Sequence, residues 1–168
     1  ELTQDITRAA GLGAYEISNH AWPGEESRHN LVYWRGGAWL GIGPGAHGRL
    51  PFQGGARIAT ASEKSPEKWL ALVEAQGHGL TQDEPITART QAEELLLMGL
   101  RLEEGVELAR LSALAPELLD AGAMEQFQAD GFLAAENGRL HALPRGKLVL
   151  NRLIAGLVAH ERPIIGAL

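Results

Sequence analysis

The stretch AYEISNHAWPGEESRHNLVYWRGGAWLGIGPGAHG, Ala14 to Gly48, concentrates the aromatic residues and glycines of this 168-residue chain. Six of the nine aromatic residues lie between Tyr15 and Phe52, and six of the twenty-one glycines fall between Gly36 and Gly48. Aromatic faces beside backbone that permits close approach describe the lining of a pocket for a flat or extended ligand. A stretch built only for packing has no evident need of so many glycines next to its tryptophans.

Outward from this stretch the periodicities predict the elements. Leu2 to Ala10 reads as the tail of an amphipathic helix stopped at Gly11 or Gly13. The chain has no initiating methionine, which fits a sequence that begins inside a domain. Ala14–Ser18 is a strand candidate, Ser27 caps a short helix to about Trp34, and Trp39–Ile42 is a second apolar strand running into Gly43-Pro44-Gly45. Arg57–Ala61 is a third strand, followed by a helix from Ser65 with Pro66 at its first position. Thr81–Pro85 is polar and reads as a linker.

Beyond that point the pattern becomes helical. Ala92, Leu95, Leu96, Gly99 and Leu102 share one face of a helix from Thr87, with Thr90 and Glu93 as a capping box. Leu108, Leu111, Leu114 and Leu118 mark short helices around Pro116, and Met124 and Phe127 continue to a stop at Gly131. Phe132–Ala135 and Arg139–Leu143 form a hairpin across Asn137-Gly138. Pro144 opens a final helix bearing Leu150, Leu153 and Leu157. The fold class is therefore α/β followed by mostly α, with helices, a small hairpin and a closing helix in winged-helix-like order.

Composition narrows the chemistry. There is no cysteine, which excludes disulfides, a thiolate zinc site and a cysteine-ligated iron–sulfur cluster within these residues. The net charge of −6 is shared evenly, with ten acidic and seven basic residues before Ile86 and eleven and eight from there on. Neither half has the basic excess of a non-specific nucleic-acid binder. No apolar run approaches the roughly 18–20 residues of a membrane span, and no signal peptide is visible.

Gly43-Pro44-Gly45-Ala46-His47-Gly48 fits G-x-G-x-x-G, yet Arg49-Leu50-Pro51-Phe52 does not propagate the helix that a dinucleotide site requires. A turn where backbone approaches a ligand is what survives, against a turn of structural use alone. His29 and Tyr33, four apart on the expected helix, share a face and can reach one ligand or metal. The competing reading makes His29 a cap or the donor to a buried carbonyl. His20 and His47 complete a trio whose spacing fits no metal motif. Glu16 is either a solvent-facing or a ligand-facing carboxylate, and Glu25-Glu26 reads as a solvated turn. No Ser/His/Asp constellation is recognisable, and no residue is singled out as catalytic.

Tyr15-Glu16-Ile17-Ser18-Asn19, Pro23-Gly24, His29-Asn30 with Tyr33-Trp34, and Gly41-Ile42-Gly43-Pro44-Gly45-Ala46-His47-Gly48 resemble the radical SAM proteins related to oxygen-independent coproporphyrinogen III oxidase. The H-N-x-x-Y element at His29–Tyr33 is similar to the HemW branch, a family of haem chaperones. Gly99-Leu100-Arg101 with Glu104-Gly105, and Pro144-Arg145-Gly146 with Asn151, resemble the family's C-terminal domain.

The resemblance implies the last strands of a partial (β/α) radical SAM barrel in residues 1–61. A connecting helix and linker would follow in 62–85, and the winged-helix-like C-terminal domain in 86–168. It implies haem bound at His29, Asn30 and Tyr33, with His29 either ligating the iron or shaping the site, and S-adenosylmethionine near Gly43, Gly45, Ala46 and His47. The family's [4Fe–4S] cluster sits on a C-x-x-x-C-x-x-C loop that these residues lack, so the chain reads as a C-terminal fragment that does not itself cleave S-adenosylmethionine. The expected partners are haem and haem-accepting proteins, possession of an unpaired sheet edge favours a homo-oligomer, and the expected compartment is the cytoplasm. The alternatives are a fragment of a coproporphyrinogen III oxidase of porphyrin biosynthesis and, more distantly, a winged-helix DNA-binding module using Arg145, Lys147 and Arg152.

Overall fold

The computed structural model describes residues 2–159; residues 160–168 of the expected C-terminal domain lie outside the described residues. Helix α1 (Leu2–Ala9) ends before Gly11, whose φ of 81° reverses the chain. Strands β1 (Gly13–Ala14) and β2 (His20–Ala21) pair antiparallel, and α2 (Arg28–Trp34) follows. The Ser27 hydroxyl caps α2, accepting from the Asn30 N–H at 3.4 Å.

Strands β3 (His47–Pro51) and β4 (Arg57–Ser62) form a hairpin around one 3-10 turn at Gln53–Gly55. Helix α3 (Pro66–Gln76) has Ser65 as its cap and Gly77 in the left-handed conformation at its end. It leads to β5 (Leu80–Ile86), which completes an antiparallel sheet in the order β3-β4-β5. The segment expected as a linker is thus an edge strand. Its side chains from Thr81 to Pro85 are exposed, so no apolar alternation marks it in the sequence. The ladder is held mainly by backbone, with the Thr81 hydroxyl also donating to the Ala61 carbonyl at 3.3 Å, and a single neighbouring strand leaves room for Pro85 at the edge.

The expected strand Trp39–Ile42 forms only at Trp39, which exchanges both backbone hydrogen bonds with Arg49 at 2.9 Å. Gly41 lies so close to the His47 backbone that a Cβ there would collide with it. Gly43, at a φ of 99°, then turns the chain away. The Ala14–Ser18 strand is likewise shortened: Glu16 makes an isolated bridge to Leu102, and the Glu103 N–H donates to the Tyr15 carbonyl at 3.0 Å.

The rest is organised around helix α4 (Ala88–Gly99), followed by β6 (Val106–Glu107), α5 (Leu108–Leu114), α6 (Ala121–Ala129), β7 (Leu133–Glu136) and β8 (Arg139–Ala142). The three strands pair in the order β6-β8-β7, the sheet of a winged helix, with Asn137 and Gly138 both at positive φ in the tight turn. Thr87, not Thr90, caps α4, its hydroxyl accepting from the Thr90 N–H at 3.0 Å. The single closing helix expected after Pro144 is two, α7 (Pro144–Leu148) and α8 (Leu150–Leu157). They break at Val149, where the backbone leaves helical geometry at φ −123° and ψ 24°.

The hydrophobic core belongs to this second part. Ala92, Leu95, Leu96 and Leu100 pack with Val106, Leu111, Leu118, Leu133, Leu140, Leu150, Leu153 and Leu157. Before residue 88, Ala59 is the only buried hydrophobic residue among those described. Replacing Leu96 with alanine is expected to cost about 2–5 kcal/mol of stability. Leu70→Ala, on the exposed face of α3, is expected to change stability by less than about 0.5 kcal/mol. Urea unfolding of the two variants beside wild type checks both.

Candidate functional site

Helix α2 presents His29 and Tyr33 on one face, their rings meeting edge to face at 4.8 Å. Tyr33 in turn packs against Trp39, with centroids 4.6 Å apart. The Trp39 indole N–H donates to the His47 carbonyl at 3.1 Å. The two groups of residues singled out in the sequence, His29 with Tyr33 and the glycine turn at Gly43–His47, are therefore one continuous surface joined through Trp39.

Asn30 points the other way around the helix, its side-chain amide donating to the Tyr15 hydroxyl at 3.3 Å. It fastens α2 to the Tyr15–Asn19 segment. His29 is exposed, and its imidazole nitrogens meet no hydrogen-bond partner among the described residues. The cap of α2 is Ser27, so the capping role weighed for His29 is already filled. An exposed imidazole with uncommitted nitrogens has the chemistry to ligate haem iron, and Tyr33 packs against its ring. His29, His20 and His47 do not converge: no group of three metal-ligating side chains occurs among the described residues.

The turn itself is held by backbone. The Gly45 N–H donates to Glu63 at 2.8 Å, the Ser62 N–H donates to Ala46 at 2.9 Å, and Gly45 sits at a φ of 69°. These bonds extend the β3–β4 ladder into the turn, while Gly43 has open space where a side chain would be. With no cysteine in the chain, thiolates of these residues cannot hold an iron–sulfur cluster.

Glu16 proves to be neither of the expected alternatives. It is 1% exposed, and its Oε1 accepts from the Ser18 N–H at 3.0 Å, the Ser18 hydroxyl at 3.2 Å and the Asn19 amide. It knots the turn between β1 and β2. Glu25 and Glu26 lie in the expected turn, where Glu26 accepts from the Gly24 N–H at 3.2 Å.

Three residues that the sequence did not single out complete the surface. Arg49 and Arg57 lie 5.8 and 5.9 Å from the centroid of the third, Trp39. Their register puts them on the same face of the hairpin, Arg49 opposite Ala59 and Arg57 opposite Pro51. Arg57 donates to the carbonyls of Gly36 and Gly37, fixing the bend between α2 and Trp39. Arg49 binds Glu94 of α4 through two nitrogens, at 2.7 and 3.1 Å. The signal available in the sequence was parity: once the hairpin turn is placed, the two arginines must share a face.

Comparison with known proteins follows this geometry. Residues 86–149 match the family described as HemN C-terminal domain. The class is thus that of proteins built on this winged-helix-like unit. The chain is 34% identical over 158 residues to Heme chaperone HemW of Mycobacterium tuberculosis, covering 94% of this chain and 38% of that protein. It is 33% identical over 163 residues to the mitochondrial Radical S-adenosyl methionine domain-containing protein 1 of Bos taurus, covering 92% and 37%. The structure of coproporphyrinogen III oxidase (HemN) from Escherichia coli, a radical SAM enzyme, superposes with a TM-score of 0.67 at 15% identity, covering 92% of this chain and 39% of that one. The chain is thus similar to proteins of the HemW-like branch of the radical SAM family. It spans about two fifths of the length of these relatives.

Electrostatics pins α2 from its other end. The Arg35 guanidinium binds Glu104 through two hydrogen bonds of 2.9 Å, and Arg139 approaches the same carboxylate at 3.4 Å. The hydrogen-bonded Arg35 holds the Glu104 carboxyl below its ordinary 4.5, against desolvation and with help from the charges of Arg35 and Arg139. A depressed carboxyl pKa stabilises the fold above the unfolded value, and that contribution is lost as the pH falls through the lower folded value. Stability is expected to decline as the pH drops below about 4.5. Glu104→Gln is expected to flatten part of that decline in melting temperatures recorded across the acid range. An unchanged acid limb would remove Glu104 from the account.

Proposed function

We propose that the chain serves a haem chaperone of the HemW type, binding haem on the face of α2 and releasing it to haemoproteins. His29 is the iron ligand in this reading, Tyr33 orients its ring, and Asn30 holds the helix against Tyr15. The observation that carries it is the exposed imidazole of His29, uncommitted to any hydrogen bond and backed at 4.8 Å by Tyr33. Homology to proteins named as heme chaperones supports the same reading.

S-adenosylmethionine is proposed to approach the backbone of Gly43, Gly45, Ala46 and His47, where the turn leaves space over Gly43. The iron–sulfur cluster of the family needs ligands from outside this sequence. The fold is shared with an oxidase, but likeness at 15% identity speaks to fold alone. The nucleic-acid reading gains nothing from the structure: α6, in the recognition-helix position, carries Glu125 and neither lysine nor arginine. Among the described residues no helix is long and apolar enough to cross a membrane.

Titration of haem followed by visible absorbance tests the proposal. Wild type is expected to give a saturable Soret shift, His29→Ala to weaken it at least about tenfold, and Tyr33→Phe to keep ligation with a smaller loss. A Soret shift unaltered in folded His29→Ala would move the iron to another ligand, and none in folded wild type would take haem off this surface.

A further inference from the structure

A concavity of about 450 Å³, lined in part by Arg57, lies between the β3–β4 hairpin and helices α4 and α5. Ala38, Phe52 and Leu114 supply apolar wall, and Arg57, Gln91 and Arg110 supply polar groups. Gln91 is 8% exposed, lines this cavity, and has no side-chain hydrogen bond among the described residues. The amide itself keeps contact with solvent, so its donor and acceptor are free to meet a polar group that enters the cavity.

Charge singles out the same place. Arg57 feels Arg49 and Arg110 as neighbouring cations and Glu94 as neighbouring anion. Glu94 is already engaged by Arg49, and among the described residues Arg110 donates only to the Arg35 carbonyl, at 3.1 Å. The cluster therefore has more guanidinium than carboxylate. Burial lowers the Arg57 pKa, against the opposing charge of Glu94. Beside it Phe52 is 53% exposed, an apolar ring next to a cationic one.

We propose that this cavity binds a small organic carboxylate, with Arg110 pairing with the carboxylate, Arg57 adding its charge, Gln91 meeting a second polar group and Phe52 with Leu114 covering the apolar body. The planar fork of a guanidinium matches a carboxylate, and the apolar walls favour a single negative charge over a doubly charged phosphate. The proposal does not rest on haem binding at α2, although Arg57 borders both places.

The test is an amide NMR titration of the protein with 2-naphthoate, and in parallel with the uncharged 2-naphthylmethanol. Saturable shifts are expected at Gly36, Ala38 and Gln91, with affinity about tenfold lower for the alcohol and for Arg110→Gln. Arg152→Gln is the control, because Arg152 lines a larger apolar cavity of about 590 Å³ with Phe127 and Phe132, and it is expected to leave affinity unchanged. Should Arg110→Gln lose its dispersed spectrum, Gln91→Leu takes its place and must weaken binding at least threefold. No saturable shift, shifts confined to residues 149–156, or undiminished affinity in the folded variant overturns the proposal.

Discussion

The paired hydrogen bonds from Arg49 to Glu94 join a hairpin that buries little apolar surface to a helix whose opposite face lies in the leucine core. Both side chains are about three-quarters shielded from water, which makes the pair stronger than an exposed one. Because α4 also carries Leu95, Leu96 and Ala92 into the core, whatever is bonded to Glu94 inherits the rigidity of the winged-helix unit. Trp39 bridges to Arg49, Tyr33 leans on Trp39, and His29 on Tyr33. The placement of the candidate haem surface thus descends from one ion pair through a short series of contacts.

The same dependence explains the polar character of the other attachments. Arg35 to Glu104, Arg110 to the Arg35 carbonyl and Arg57 to the Gly36 and Gly37 carbonyls all tie the region around α2 to elements with apolar cores of their own or to each other. A seven-residue helix is too short to persist in water by itself, so its ends must be held. Meanwhile Leu2, Ile6, Trp22, Leu40 and Ile42 remain exposed, which places most of the exposed large apolar side chains in the first part of the chain, with Leu148 the main exception.

What the sequence made legible follows from which forces wrote the pattern. The helices of the second part are legible, apart from the break at Val149, because Leu95, Leu96, Leu111 and Leu157 are buried and their spacing records the packing. The turn at Asn137-Gly138 is equally plain, since positive φ at both residues restricts their identity. Strand β5 was hidden because its order comes from backbone pairing with β4, which imposes nothing on side chains that face water. Trp39–Ile42 misled for the opposite reason: its apolar residues suggest a strand, but Gly41 pressed against His47 leaves the ladder nowhere to go. At the site, His29 and Tyr33 were legible through helical spacing, whereas Arg49, Arg57 and Gln91 depend on register and on a tertiary cavity that local pattern cannot specify.

Exposure of His29 has a consequence for the proposed delivery of haem. A ligand enclosed on all sides is held by desolvation as well as by its iron bond, and release must then wait for the fold to open. Here the imidazole stands at the surface with one face on Tyr33, and the groups behind it, Trp39 and the two arginines, are fixed through Glu94 and the backbone of Gly36 and Gly37. The rigid part lies behind the ligand and the open part in front. A recipient protein would then compete directly for the iron without first unfolding α2, and exchange would be governed by relative ligand affinity and not by a conformational barrier. If haem binds as proposed, the arrangement would favour transfer over storage, because the stabilising bonds around the imidazole support the groups behind it and leave its nitrogens free.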